Sequence, residues 1–256
     1  GLSFGQVIVA DGFDYPDGSL VPNGGWFNFS GTPGDLLVSS GQAVVQHGTP
    51  SEDAGIGFTS VSGNIYFAID FSVDALGAPF SGSDFEYFAG FKDSGFLWRG
   101  RFDIVAPSTT GDFTVGISSS SSTAQATWAT DLTFGQTYRA VVRYDQDSGQ
   151  AELWIEPTTS SDTSILGTAD GATTMEMFAL RQSDSSENET IRVDNLMIGQ
   201  TFDDVLVFAP PTDPTLTIFD GPANGSTIVD DPETATPGNA TIDFTTTNFV
   251  MSNETA

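Results

Sequence analysis

Between residues 7 and 199, short apolar runs follow one another with Gly, Pro, Asn, Asp or Ser between them, and no window carries the 3.6-residue spacing of a helix. The runs are VIVA, DLLVSSGQAVVQH, IGFTS, NIYFAIDFSVDAL, FEYFAGFKDS, GFLWRGRFDIVAP, DFTVGISSS, TYRAVVRYDQ, QAELWIEP, TMEMFALRQS and ENETIRVDNLMIG. With 28 Gly and 13 Pro punctuating the chain, the pattern specifies an all-β fold. Strands of this number and length suit two antiparallel sheets packed as a sandwich.

Alternation is clearest in residues 138–156. Tyr138, Ala140, Val142 and Tyr144 share one face, Arg139, Val141 and Arg143 the other; after the turn DQDSGQ, Leu153 and Ile155 alternate with Glu152, Trp154 and Glu156. A hairpin here would set Arg139 and Arg143 opposite Glu152 and Glu156. The stretch ADGFDYPDGSLVPNGGWFNFSGTPG, residues 10–34, reads as the first strand and a crossover, with Phe13 and Trp26 in the core. The serine tract 118–122 reads as a mobile loop without a site.

The organisation expected is a sandwich over residues 7–205, a proline-rich linker over 206–214, and a partial β module over 215–256 that starts a second sandwich. A module cut short implies a longer parent polypeptide. Residues 1–6 read equally as the remnant of a secretory signal peptide or as the approach to the first strand.

Charge narrows the partners. Seven Lys and Arg stand against 34 Asp and Glu, a net of −27, which excludes nucleic acid and argues against anionic membrane surfaces. Cations, sugars or a basic partner remain, and an acidic surface suits a saline exterior. Without cysteine there is no disulfide, thiolate metal site or thiol nucleophile. No apolar run reaches the roughly 18 residues of a transmembrane segment.

The opening Asp11-Gly12-Phe13-Asp14-Tyr15, then Asp17-Gly18-Ser19-Leu20 and Gly24-Gly25-Trp26, the YRAVVRYDQDSGQAELWIEP hairpin and the closing Ile191-Arg192-Val193-Asp194-Asn195-Leu196 together resemble the concanavalin A-like, laminin-G-like jelly-roll domains of secreted Bacteroidetes-type proteins. The tail, with ATIDFTTTNFVMS, looks like the immunoglobulin-like modules that follow such domains. The resemblance implies a secreted or cell-surface setting and export by machinery of the type IX kind. It also implies a structural Ca²⁺ where first and last strands meet, with Asp11, Asp14 and Asp194 as ligands. Against that stands the reading of these Asp residues as turn formers bonded to their own backbone.

Retaining glycosidases of concanavalin-like fold place carboxylates about 5–5.5 Å apart across a cleft. Asp70/Asp74, Asp84/Glu86 and Glu152/Glu156 are the nearest candidates, and none forms a three-carboxylate run. His47, the lone histidine, reads as a turn residue, which removes both a catalytic triad and a zinc site. Sugar rings stack on indoles, and Trp98 and Trp154 are the tryptophans best placed by pattern. Trp98, Gly100 and Phe102 should share one face of their strand, Arg99 and Arg101 the other. The expected function is a non-catalytic adhesion or polysaccharide-binding domain of a larger exported protein. A structural spacer or surface-assembly subunit, and then a glycoside hydrolase, are the alternatives.

Overall fold

The computed structural model describes residues 7–83, 86–183 and 185–209; the expectations for residues 1–6, for 210–214 of the linker and for the module at 215–256 lie outside them. In chain order the elements are β1 (Val7–Asp11), β2 (Gly18–Ser19), β3 (Trp26–Ser30), β4 (Leu37–Ser39), β5 (Gln42–Gln46), β6 (Asp53–Gly57), β7 (Asn64–Val73) and β8 (Glu86–Lys92). They continue with β9 (Trp98–Val105), β10 (Thr114–Ser118), β11 (Ala126–Thr127), β12 (Tyr138–Asp145), β13 (Gln150–Ile155), β14 (Ile165–Leu166), β15 (Met177–Arg181), β16 (Thr190–Gly199) and the short helix α1 (Phe202–Leu206).

The strands form two antiparallel sheets packed as a jelly-roll sandwich. One runs β14-β13-β12-β7-β16-β5-β4-β2, with β1 also paired to β16; the other runs β11-β10-β9-β8-β15-β6-β3. First and last strands are thus neighbours, Asp11 facing Leu196. The core between the sheets is aromatic. Phe67 of β7 meets Phe91 and Phe178 of the facing sheet at ring-centroid distances of 5.1 and 4.9 Å, and Phe71 meets Phe102 at 5.1 Å, all edge-to-face. Phe13 and Trp26 are buried there, as their positions in the sequence require.

The hairpin of β12 and β13 has the expected register, Val141 opposite Trp154 and Arg143 opposite Glu152. Arg143 pairs with Glu152 at 2.8 Å. Arg139 does not take Glu156 as its ion-pair partner. Because β12 also lies against β7, its guanidinium meets Asp70 at 3.1 Å and donates to the carbonyls of Asn195 and Val205.

That last bond anchors α1, which a capping box starts: Asp204 N–H donates to Thr201 Oγ1, and Thr201 N–H to Asp204 Oδ2. Phe202 and Val205 of α1 cover Ala68, Val141, Trp154 and Met197 on the outer face of the larger sheet. Leu206 and Phe208, inside the stretch expected to be linker, pack against the same cluster.

The serine tract also departs from expectation. Ser118 and Ser119 are buried, Ser119 Oγ accepts from Ala151 N–H at 2.9 Å, and Gln125 Oε1 accepts from Ser119 N–H at 2.9 Å. It therefore ties β10 of one sheet to β13 of the other.

Candidate functional site

The outer face of the seven-stranded sheet carries an aromatic groove. In β3, Trp26 turns inward to the core, so Phe27 and Phe29 turn outward by strand alternation. Across the sheet, Phe27 pairs with Gly55, Gly55 with Ala179, and Ala179 with Gly90. These small residues form a low floor: a Cβ on Gly55 would come within 3.2 Å of Met177 Sδ and 3.3 Å of Phe29 Cε1. Phe29 and Trp98 approach at 5.9 Å on one wall, and Phe96, 95% exposed in the β8–β9 turn, stands over the opening. The groove encloses about 420 Å³.

Polar groups converge on it. Lys92 lines it with its ammonium 5.1 Å from the Phe29 ring centroid, held by the Asp93 and Gly95 carbonyls. Asp53 lines it too, with Oδ1 buried and lacking a hydrogen bond. Burial pushes the Asp53 carboxyl up to about 6, against the pull of the Arg181 guanidinium. Beside the groove, Arg101 and Arg181 lie over the Tyr87 ring at 4.7 and 4.2 Å. Three of the seven cationic side chains thus share one face of a chain of net charge −27.

The raised Asp53 fixes a sign. Its protonated form favours the fold fully below the ordinary aspartate value of 3.8, and that contribution is lost as pH rises through about 6. Asp53→Asn is accordingly expected to raise the melting temperature relative to the parent at about pH 8 and to leave it unchanged at about pH 4. Thermal unfolding at the two pH values checks this; an equal difference at both would contradict it.

The residues expected from sequence fall in different places. Trp98 belongs to the groove but is only 7% exposed, wedged between Phe29 and Tyr87. Its face assignment is corrected by Gly100, whose φ of +57° accompanies a register shift in the β8–β9 pairing. The bulge puts Trp98 and Arg101 together beside Tyr87 outside the sheet, while Phe102 enters the core. Trp154, 3% exposed, lies under Phe202 at 5.2 Å and offers no face to a sugar. Its side of the sheet is the one expected, but α1 covers it.

Asp11 and Asp194 are engaged by protein donors. Both Asp11 oxygens already accept hydrogen bonds: Oδ1 from Phe13 N–H at 2.8 Å, Oδ2 from the Tyr15 hydroxyl at 2.9 Å and from Trp26 Nε1–H at 2.7 Å. Asp194 Oδ1 accepts from Asn195 N–H at 2.7 Å. Asp194 feels the charge of Asp14, yet among the described residues Asp11, Asp14 and Asp194 are not a cluster of convergent ligand atoms. Of the carboxylates weighed for glycosidase chemistry, Asp84 lies outside the described residues and the others are engaged: Asp70 with Arg139, Asp74 with Arg192, Glu152 with Arg143, Glu86 with His47, and Glu156 as acceptor from Arg139 N–H. His47 is no turn residue. It is fully buried just after β5, between Glu86 and Glu189.

With 21 phenylalanines in the chain, abundance singles out none of them. The usable signals were local: Phe27 and Phe29 flank Asn28 in a strand whose Trp26 must face the core, and Phe96-Leu97 put two apolar residues into a hairpin turn where polar ones are usual.

No protein-family model matches the sequence, and no curated protein matches it. Solved structures similar in chain path include the Lotus tetragonolobus seed lectin, at 13% identity and TM-score 0.47, covering 75% of this chain and 97% of that one. A sialidase gives 11% identity and TM-score 0.45 over 76% of this chain and 19% of its own. The Emp47p carbohydrate recognition domain gives 9% identity and TM-score 0.44 over 76% of this chain and 94% of its own. At such identities and TM-scores no functional residue transfers from them.

Proposed function

We propose that this sandwich is a non-catalytic carbohydrate-binding domain, with the groove of Phe27, Phe29, Phe96 and Trp98 as its site. One observation carries the reading: aromatic rings and a small-residue floor line a groove into which Lys92 and Asp53 also project. Sugars present apolar C–H faces ringed by hydroxyls, and such a groove offers matching apolar surface with a donor and an acceptor at its rim. Lys92 supplies donors to ring or hydroxyl oxygens, and Asp53 accepts from hydroxyls. Phe27, 39% exposed, and Phe96 are the stacking faces, while Trp98 backs them. The setting proposed with it is extracellular or cell-surface, which the acidic composition supports.

Retention of the purified chain on immobilised and insoluble polysaccharides, neutral and acidic, tests the reading. Binding should weaken at least about tenfold in Phe27→Ala and Phe96→Ala, since loss of one stacked ring costs roughly 1–3 kcal/mol. Chelator should leave it unchanged, because the groove's lining offers one carboxylate, Asp53, beside a lysine, and no set of ligands for an ion. Retention that both variants keep would move the site elsewhere, and no retention on any glycan would favour the structural-spacer reading.

A further inference from the structure

At one end of the sandwich, three side chains from distant segments bring their free lone pairs to one point. His47 follows β5, Glu86 opens β8 and Glu189 precedes β16, so both sheets contribute. His47 and Glu189 are fully buried and Glu86 is 5% exposed. His47 Nε2 lies 3.2 Å from the Arg181 carbonyl oxygen, which can only accept. Nε2 therefore carries a proton, and Nδ1 on the other side is a second proton-binding or metal-binding nitrogen; burial opposes a charge on the ring, but Glu189 and Glu86 pull its pKa above the ordinary histidine value, as they would hold any cation placed there.

What faces Nδ1 is not an ordinary donor set. Glu189 Oε1 is 3.1 Å away and Glu86 Oε2 is 3.3 Å away, both acceptors. Ser183 Oγ, at 3.0 Å from Nδ1, is also 2.8 Å from Glu86 Oε2, and its single proton serves one of them. The outward carboxylate oxygens are already oriented, Glu86 Oε1 by the Ser83 hydroxyl at 3.2 Å and Glu189 Oε2 by the Ser185 hydroxyl at 2.7 Å. Glu189 Oε1, buried and aimed at Nδ1, has no hydrogen-bond partner. All three ligand atoms lie within 4.8 Å of one another.

We propose that His47 Nδ1, Glu86 and Glu189 bind a divalent transition-metal ion that rivets the two sheets together. Two buried carboxylates carry two charges, of which even a protonated imidazole offsets only one, and among the described residues no Lys or Arg pairs with either Glu. A divalent cation cancels both. The imidazole's other N–H bound to a backbone carbonyl, and carboxylates oriented by hydroxyls, are the outer contacts that hold metal ligands in place. One nitrogen and carboxylate oxygens suit Zn²⁺ or Mn²⁺; Ca²⁺ takes six to eight oxygens. The ion is structural, since buried ligands leave no path for a substrate.

The test uses the whole chain, purified without chelator, then stripped and titrated separately with Zn²⁺, Mn²⁺, Ca²⁺ and Mg²⁺. The proposal expects about one equivalent of a transition metal by elemental analysis, a fall in melting temperature on stripping, and recovery with Zn²⁺ or Mn²⁺ but not Ca²⁺ or Mg²⁺. Glu189→Gln, nearly isosteric, should weaken metal affinity by roughly 100-fold or more and remove the melting response to metal. The parent's response alone decides the matter should that variant not fold. Substoichiometric metal with no melting response to any ion would overturn the proposal in favour of a protonated His47 bridging the carboxylates. A response kept in full by folded Glu189→Gln would overturn it equally.

Discussion

Asp11→Ala should lower the free energy of unfolding by about 3–5 kcal/mol, measured by denaturant titration with the slope held as a check on two-state behaviour. Asp11 sits at the end of β1 with both oxygens turned inward. Truncation leaves the Trp26 indole N–H and the Phe13 N–H without acceptors in a buried place, each costing about 1–3 kcal/mol. The half-buried Tyr15 hydroxyl loses its acceptor as well; burial and the Asp11 charge hold that phenol well above its ordinary value. Asp11→Asn should fall between, because its oxygen can serve Phe13 while its NH₂ then faces the Trp26 donor. A loss below about 1 kcal/mol would mean that Asp11 does not organise the β1–β3 region.

The second large effect belongs to Trp154. Trp154→Ala should cost about 3–5 kcal/mol, the usual range for emptying a large aromatic site, and should leave glycan retention unchanged. The indole fills the space between Val141, Met197, Ala68 and the α1 residues Phe202 and Val205. Trp154→Phe should cost much less, because Nε1 is buried without a hydrogen-bond partner and its removal sacrifices no polar contact. Measured together with Trp98→Ala, the pair separates the two tryptophans: both nearly buried rings should cost stability when emptied, but only Trp98→Ala should also weaken glycan retention. Loss of glycan retention in a folded Trp154→Ala would contradict this division.

The sandwich was legible because strand alternation and turn chemistry agree along most of the chain. The β12–β13 hairpin follows from alternation plus a Gly149 that takes φ of +70° in its turn. β3 was missed inside a Gly-rich stretch that reads as a crossover, and with it the outward faces of Phe27 and Phe29. The faces of β9 were misassigned because one Gly between two Arg residues shifts the alternation, and nothing in the local pattern separates a bulge from a plain strand. Trp154 was placed on the correct side of its strand, but whether that side is open depends on α1, some fifty residues later by chain order. The His47 cluster was beyond local reading altogether. Its three members come from strand ends of both sheets, and pairing of β8 with β15 and of β5 with β16 is what gathers them.

The most direct measurement is a proton–nitrogen correlation spectrum of the four tryptophan indoles, assigned by single Trp→Phe variants, during titration with hexasaccharides of cellulose, laminarin, mannan and alginate. The Trp98 indole should shift saturably with at least one of them while Trp26 and Trp154, in the core and under α1, stay fixed. Saturable shifts confined to Trp128, or to none of the four with a glycan that demonstrably binds, would contradict the groove as the carbohydrate site.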